Sequence, residues 1–128
     1  MIKSIFPQEK DFDIIMNMKT CGIITEYNPF HQGHIYHIKK TKELTQCDCL
    51  IAIVSNHFTQ RGLFSLLTMQ DKTKLALEAG CNLVIELPPC YAAQSADYFA
   101  KYAVESLSQL HIDQICFGSE TNNISTLK

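Results

Sequence analysis

From residue 20 onward, short apolar runs alternate with longer stretches of mixed polarity. "CGIIT" is a compact, β-branched run, and "CLIAIVS" is apolar without alternation, the pattern of a strand covered on both faces. Between them, "HQGHIYHIKKTKEL" places Ile35 and Ile38, then Lys42 and Leu44 one turn later, in a broadly helical pattern. "NHFTQRG" reads as a polar loop. "TMQDKTKLALEAG" predicts a helix with Thr68 as N-cap, Asp71 three residues on and Gly80 as its stop. "NLVIELPP" predicts a third strand, closed by two prolines that cannot continue a central ladder. "SADYFAKYAVESLSQL" predicts a helix capped at Ser95, with Phe99, Ala103, Val104 and Leu107 on one face. "IDQICFGS" reads as a fourth strand and "ETNNISTLK" as a loop. Residues 1–18 carry Pro7 and mixed charges without a period, and read as an N-terminal extension.

Strand and helix thus alternate three times before a last strand. The pattern predicts one α/β domain over residues 19–128, a Rossmann-like, doubly wound parallel sheet with right-handed crossovers. Ligands of such sheets bind beyond the carboxyl ends of the strands. The segments expected there are the turn after the first strand, "SNHFTQRG", "ELPP" and "FGSE".

Composition narrows the classes. The 128 residues are 46% hydrophobic and 19% charged with a net charge of −2, so the chain as a whole is not a basic nucleic-acid glove. Contact with RNA would need a local patch or protein beyond this chain. No apolar run reaches membrane-spanning length and no secretory segment opens the sequence, so no membrane partner is expected. The six cysteines fall largely within buried runs and read as reduced thiols of a cytoplasmic protein. Cys47 and Cys49 have no second pair at zinc-binding spacing, and no metal ligand is assigned.

The most informative stretch is "CGIITEYNPFHQGHIYH", Cys21 to His37. It is a strand-to-helix turn, where unsatisfied helix N–H groups and the positive end of the dipole favour an anion such as phosphate. Asn28 is placed to cap the helix and Pro29 to occupy its first position. His31 and His34, three apart, project from one helical face, and Gly33 beside them would let a ring or a phosphate approach the backbone. His31 and His34 are therefore the candidate catalytic residues, stabilising charge on an attacked phosphate. His37, farther along, is expected to support or pack. Arg61, in a loop at the ligand edge, is read as functional. Lys72 and Lys74 divide evenly between a functional role and a solvated helix face. Glu26, Glu86 and Glu120 each could orient a histidine, hold Mg²⁺ or simply close a strand. Asp97 is expected to complement a helix dipole, and Tyr27 and Phe30 to pack rather than to bound an adenine.

"HQGH" after a strand resembles the H-x-G-H signature of HIGH-type nucleotidylyltransferases. With "HFTQRG", "LALEAGCNLVIELP" and "CFGSE", from Gly22 to Glu120, the chain resembles the tRNA(Met) cytidine acetate ligase family. That resemblance implies activation of acetate by ATP as acetyl-adenylate, then acetylation of the wobble cytidine of elongator tRNA(Met) to N4-acetylcytidine. It implies ATP contacts along Ile24, Thr25, Glu26, Tyr27, Asn28, Pro29, Phe30, His31, Gln32, Gly33, His34, Ile35, Tyr36 and His37, with a further one at Gly118, and Mg²⁺ as companion ion. Met69 stands where the resemblance leads one to expect a basic residue, and Lys72 where it suggests arginine. Members of the family are longer and carry a later serine-rich, basic loop that clamps pyrophosphate. The resemblance therefore implies an N-terminal portion, incomplete at its C-terminus. Two alternatives remain open: a HIGH-type nucleotidylyltransferase acting on a phosphorylated small molecule, and an ATP-binding remnant without turnover.

Overall fold

Three apolar runs of the sequence become neighbouring strands of one parallel sheet. The computed structural model describes residues 17–118, so most of the extension and Glu120 lie outside the described residues. In chain order the elements are β1 (Thr20–Thr25), α1 (Gln32–Thr45), β2 (Cys49–Ser55), α2 (Met69–Ala79), β3 (Leu83–Leu87), α3 (Pro89–Ala92), α4 (Ala96–Gln109) and β4 (Gln114–Ile115). The sheet order is β3-β2-β1-β4, all parallel, with Thr20 opposite Cys49 and Ile51 opposite Leu83.

The uninterrupted apolarity of β2 follows from its place. Leu50, Ala52 and Val54 pack into one core with Ile38 of α1 and Ala76 of α2. The alternate residues Ile51 and Ile53 face a second core with Ala92, Ala103 and Leu107. Helices thus cover both faces, as the doubly wound pattern requires. Burying each large aliphatic side chain there contributes roughly 1.5–3 kcal/mol. On β1, Gly22 lets α4 approach: a Cβ at that position would lie 2.7 Å from Leu107 Cδ2.

Local signals held where their hydrogen bonds could form. Thr68 Oγ1 accepts from the Asp71 amide at 3.2 Å, and Gly80 ends α2 at φ 121. Lys42 Nζ donates to the Gly80 carbonyl at 2.9 Å, which ties the end of α2 to α1. Ser95 precedes α4 without a side-chain cap bond. On α4, Phe99, Ala103 and Leu107 turn inward, but Val104 is exposed because it sits at the margin of that face. Leu44, expected on the inner stripe of α1, is exposed as well, and Thr41 and Thr45 take the buried positions. The Pro88-Pro89 pair not only ends β3 but opens the one-turn helix α3, because Pro89 stands where no N–H is needed. β4 is much shorter than "IDQICFGS" suggests. It pairs with β1 alone among the described strands, through Cys21–Gln114 and Gly22–Ile115, before Cys116 makes one last bond to the Gly22 carbonyl. No helix among the described residues is long and apolar enough to cross a membrane.

Candidate functional site

β1 delivers the chain to the carboxyl edge of the sheet, where Tyr27 reverses it with a left-handed φ of 50. The Tyr27 ring is buried, and burial raises its phenol above the ordinary value. It meets Phe30 edge-on at 4.7 Å and His34 edge-on at 4.9 Å, while Phe30 stacks on His34 at 5.5 Å. Both aromatics therefore pack, and what they hold in place is an imidazole.

The helix does not begin as the sequence led us to expect. Its N-cap is His31, not Asn28, and Pro29 lies ahead of the cap instead of in the first turn. His31 Nδ1 accepts from the Gly33 amide, and His34 Nδ1 accepts from the His31 amide, both at 3.1 Å. This is a capping box built from two histidines. Asn28 serves elsewhere: its Oδ1 accepts from the Leu66 amide at 2.6 Å.

Two consequences follow. Two amides of the turn, those of His31 and Gly33, are already taken by imidazoles. Each ring that accepts at Nδ1 carries its proton, when neutral, on Nε2, so both keep an N–H donor there. Gly33 is needed for the same reason: a Cβ there would lie 2.9 Å from His31 Cε1, so the glycine admits the capping ring itself. His34 is held to a pKa of about 4, by burial first and then by His31 and His37, and is neutral near pH 7. The ring centroids of His31 and His34 are 3.9 Å apart.

His37 lies one turn farther along α1. With Tyr36, Lys40, Thr41, Phe117 and Gly118 it lines a cavity of about 380 Å³ between α1 and the end of β4. Its Nε2 is buried without a hydrogen-bond partner among the described residues, and burial lowers its pKa. The fold thus brings Gly118 to the same helix that starts at His31. Ile24 and Thr25 are half-buried in β1, and Gln32, exposed, forms the first residue of α1.

The loop after β2 is an ordered hairpin. Phe58 and Phe64 form an antiparallel bridge, Ser65 N donates to the His57 carbonyl at 2.7 Å, and Gly62 turns the tip with φ 74. Glu26 accepts from the Gln60 amide, and with the Asn28–Leu66 bond this straps the hairpin to the histidine turn. Arg61 at the exposed tip lines a cavity of about 460 Å³ with Glu26, Asn28, Thr59, Gln60 and Phe99.

Lys72 departs furthest from expectation. It is fully buried, with Nζ donating to the carbonyls of Ser55 and Asn56 at 2.7 and 3.0 Å, and desolvation lowers its pKa. Lys74 is exposed. The signal was present in the spacing: Met69, Lys72, Ala76 and Ala79 fall on one helical stripe, with the other three all in the core cluster. Glu86 accepts from Asn56 Nδ2 at the end of β3. Among the described residues no group of three or more His, Cys, Asp or Glu is arranged to hold a metal ion, and the described cysteines are unpaired.

Residues 18–128 match the model of the HIGH nucleotidyl transferase family. The chain is 53% identical over 108 residues to the tRNA(Met) cytidine acetate ligase of Geobacillus sp. (strain WCH70), a match that covers 84% of this chain and 27% of that protein. It is 50% identical over 112 residues to the ligase of the same name from Clostridium novyi, covering 87% of this chain and 28% of the relative. The chain therefore spans about a quarter of the length of these relatives. Among solved structures, Thermotoga maritima TmcAL bound with alpha-thio ATP superposes with a TM-score of 0.83 at 40% identity, over 86% of this chain and 27% of that one. The lipopolysaccharide core biosynthesis protein from Thermoplasma volcanium has the same fold, with a TM-score of 0.60 at 18% identity, over 86% of this chain and 82% of that one.

Proposed function

The chain belongs to the HIGH nucleotidyl transferase family, and from that premise we propose that it is the ATP-binding portion of a tRNA(Met) cytidine acetate ligase. The observation that carries the proposal is the double-histidine cap, which fixes two imidazoles by Nδ1 at a strand-to-helix turn and leaves each an Nε2–H donor. The identity of about half with named ligases supports the choice of reaction.

In this reading the triphosphate lies against His31 and His34, and the adenosine end reaches the cavity of Tyr36, His37 and Gly118. Residues Ile24 to His37 form the bed of the nucleotide. An acetate oxygen attacks the α-phosphorus, and the bond to the bridging oxygen breaks, giving acetyl-adenylate and pyrophosphate. The exocyclic amine of the wobble cytidine then attacks the acetyl carbonyl; AMP departs and the amine loses a proton. Imidazole donors fixed before the reaction can stabilise the charge that develops on phosphorus without reorganising. The helix supplies that fixation, because rotating either ring would break a cap bond.

A magnesium ion fits this donor set as a companion of the triphosphate rather than as a protein-caged metal, since such ions take few carboxylates and keep phosphate and water ligands. Glu26, at the start of the turn, is the carboxylate suited to it, and the ion would neutralise phosphate charge. A reaction on ATP and tRNA supports a cytoplasmic location.

The test is ATP–pyrophosphate exchange with the 128-residue chain, with and without acetate and without tRNA. Exchange that requires acetate supports the proposal. Exchange driven by a phosphorylated acceptor, or binding of ATP without any exchange when the rest of the ligase is supplied, overturns it.

A further inference from the structure

A cavity of about 780 Å³ lies away from His31 and His34, over the carboxyl ends of β2 and β3. We propose that it binds an unpaired pyrimidine base of RNA and prefers cytosine to uracil, an inference that rests on the RNA-modifying reading above.

Size and lining suit a nucleoside. The volume falls within the range of small-ligand sites, and the surface is mainly apolar with a few convergent polar groups. Phe64 contributes a ring that is 78% exposed yet steadied by Phe58, whose centroid lies 5.0 Å away. An open, backed aromatic face of this kind stacks on unpaired bases, for which every base offers a π surface.

The edge chemistry supplies the preference. Glu86 lines the cavity, and Asn56 Nδ2 donates to one of its oxygens, which leaves the other for a ligand. An ionised carboxylate only accepts, so it favours the exocyclic amine of cytosine and repels the keto oxygen of uracil at the same position. Asn56 can hold that carboxylate in register because it is itself buried, with its own carbonyl gripped by Lys72. At the rim, Lys74 forms no ion pair among the described residues and offers a cation to the RNA backbone.

Position completes the argument. In the order β3-β2-β1-β4, the histidine turn follows β1, with this cavity on the β2–β3 side and the His37–Gly118 cavity on the β4 side. Leu66 in the cavity wall is hydrogen-bonded to Asn28 of the turn. A nucleotide and an RNA base can therefore approach the histidines from opposite sides without competing.

The chain contains no tryptophan, so Phe64→Trp introduces a single indole reporter. Its fluorescence is followed against two RNA pentamers, one all-uridine and one with a central cytidine, in the absence of ATP. We expect saturable quenching, roughly fivefold tighter for the cytidine pentamer, the low end of what one good edge contact discriminates. With Glu86→Gln added, Asn56 keeps the amide oxygen and the amide NH₂ turns to the ligand, so the preference disappears or reverses. Lys74→Ala should weaken both pentamers alike. Anisotropy of labelled pentamers with Phe64→Leu provides a second readout, with binding lost. Absence of quenching, equal quenching by both pentamers, a preference that survives Glu86→Gln, or quenching by ATP alone would each overturn the proposal. Because the titration needs neither ATP nor acetate, its failure is separable from failure of pyrophosphate exchange.

Discussion

From within a fully buried side chain, the ammonium of Lys72 donates to the carbonyl of Ser55 at 2.7 Å. A second bond, to Asn56 at 3.0 Å, means that α2 holds the last residue of β2 and the first of the following loop. Burying a cation is costly, and the lowered pKa of Lys72 records that cost, with Glu26 opposing it. Lys72→Met keeps the apolar stem but leaves both carbonyls without their donor. Stability should fall by roughly 1–3 kcal/mol, the penalty of unsatisfied buried groups. Thermal unfolding would register this as a lower Tm; an unchanged Tm would show that water replaces the ammonium.

Gly33→Ala should separate stability from ligand binding. The new methyl displaces the His31 ring, from which it would lie 2.9 Å, and removes a cap bond worth about 1 kcal/mol. Alanine returns about the same through its helix propensity. Chemical denaturation should therefore show little net change, while calorimetric ATP affinity falls by roughly tenfold or more, as one lost charge-assisted contact requires. Retained affinity would mean that His31 does not touch the nucleotide.

The sheet was legible because burial on two faces imposes a continuous apolar run such as "CLIAIVS", and the helices because Thr68 and Gly80 are local signals with local partners. The histidine pair was legible as a pair on one face of the helix start, but not as a cap, since histidine is not a customary N-cap and Asn28 was. That Asn28 binds the Leu66 amide depends on a contact 38 residues away, which no local pattern encodes. Lys72 was read from its charge, which favours solvent, when its place on the Met69–Ala76 stripe carried the better information. The short β4 reflects pairing with β1 alone among the described strands, a tertiary fact outside its own eight-residue pattern.

His34 and His37 should divide the nucleotide between them. His34→Ala removes the imidazole of the capping box and should weaken ATP and inorganic tripolyphosphate alike. His37→Ala alters the cavity that holds Gly118, and should weaken ATP to a smaller degree while leaving tripolyphosphate untouched. Competition binding with both ligands gives the comparison. Equal losses of tripolyphosphate in the two variants would remove the distinction.

Acid should loosen the helix start before it reaches the lowered carboxyl of Asp113. His34 is held to about 4 in the folded chain, against 6.5 in the unfolded one, so the unfolded state binds more protons between these values. The stability associated with neutral His34 is therefore complete above the unfolded value and is lost as pH falls through the window toward 4. His37, lowered by burial, acts in the same direction. Asp113, whose carboxyl is held below 3.8 by Thr20, makes its loss felt only at lower pH. Protonation of His34 at Nδ1 also abolishes its acceptance of the His31 amide, so the cap opens as the proton arrives. His34→Gln supplies an acceptor that does not titrate and suits the third helical position of a capping box. Urea unfolding at about pH 7 and about pH 5 should show a smaller loss in this variant than in the parent chain. An identical loss would place the acid sensitivity elsewhere and leave His34 protonated or neutral without consequence for the fold.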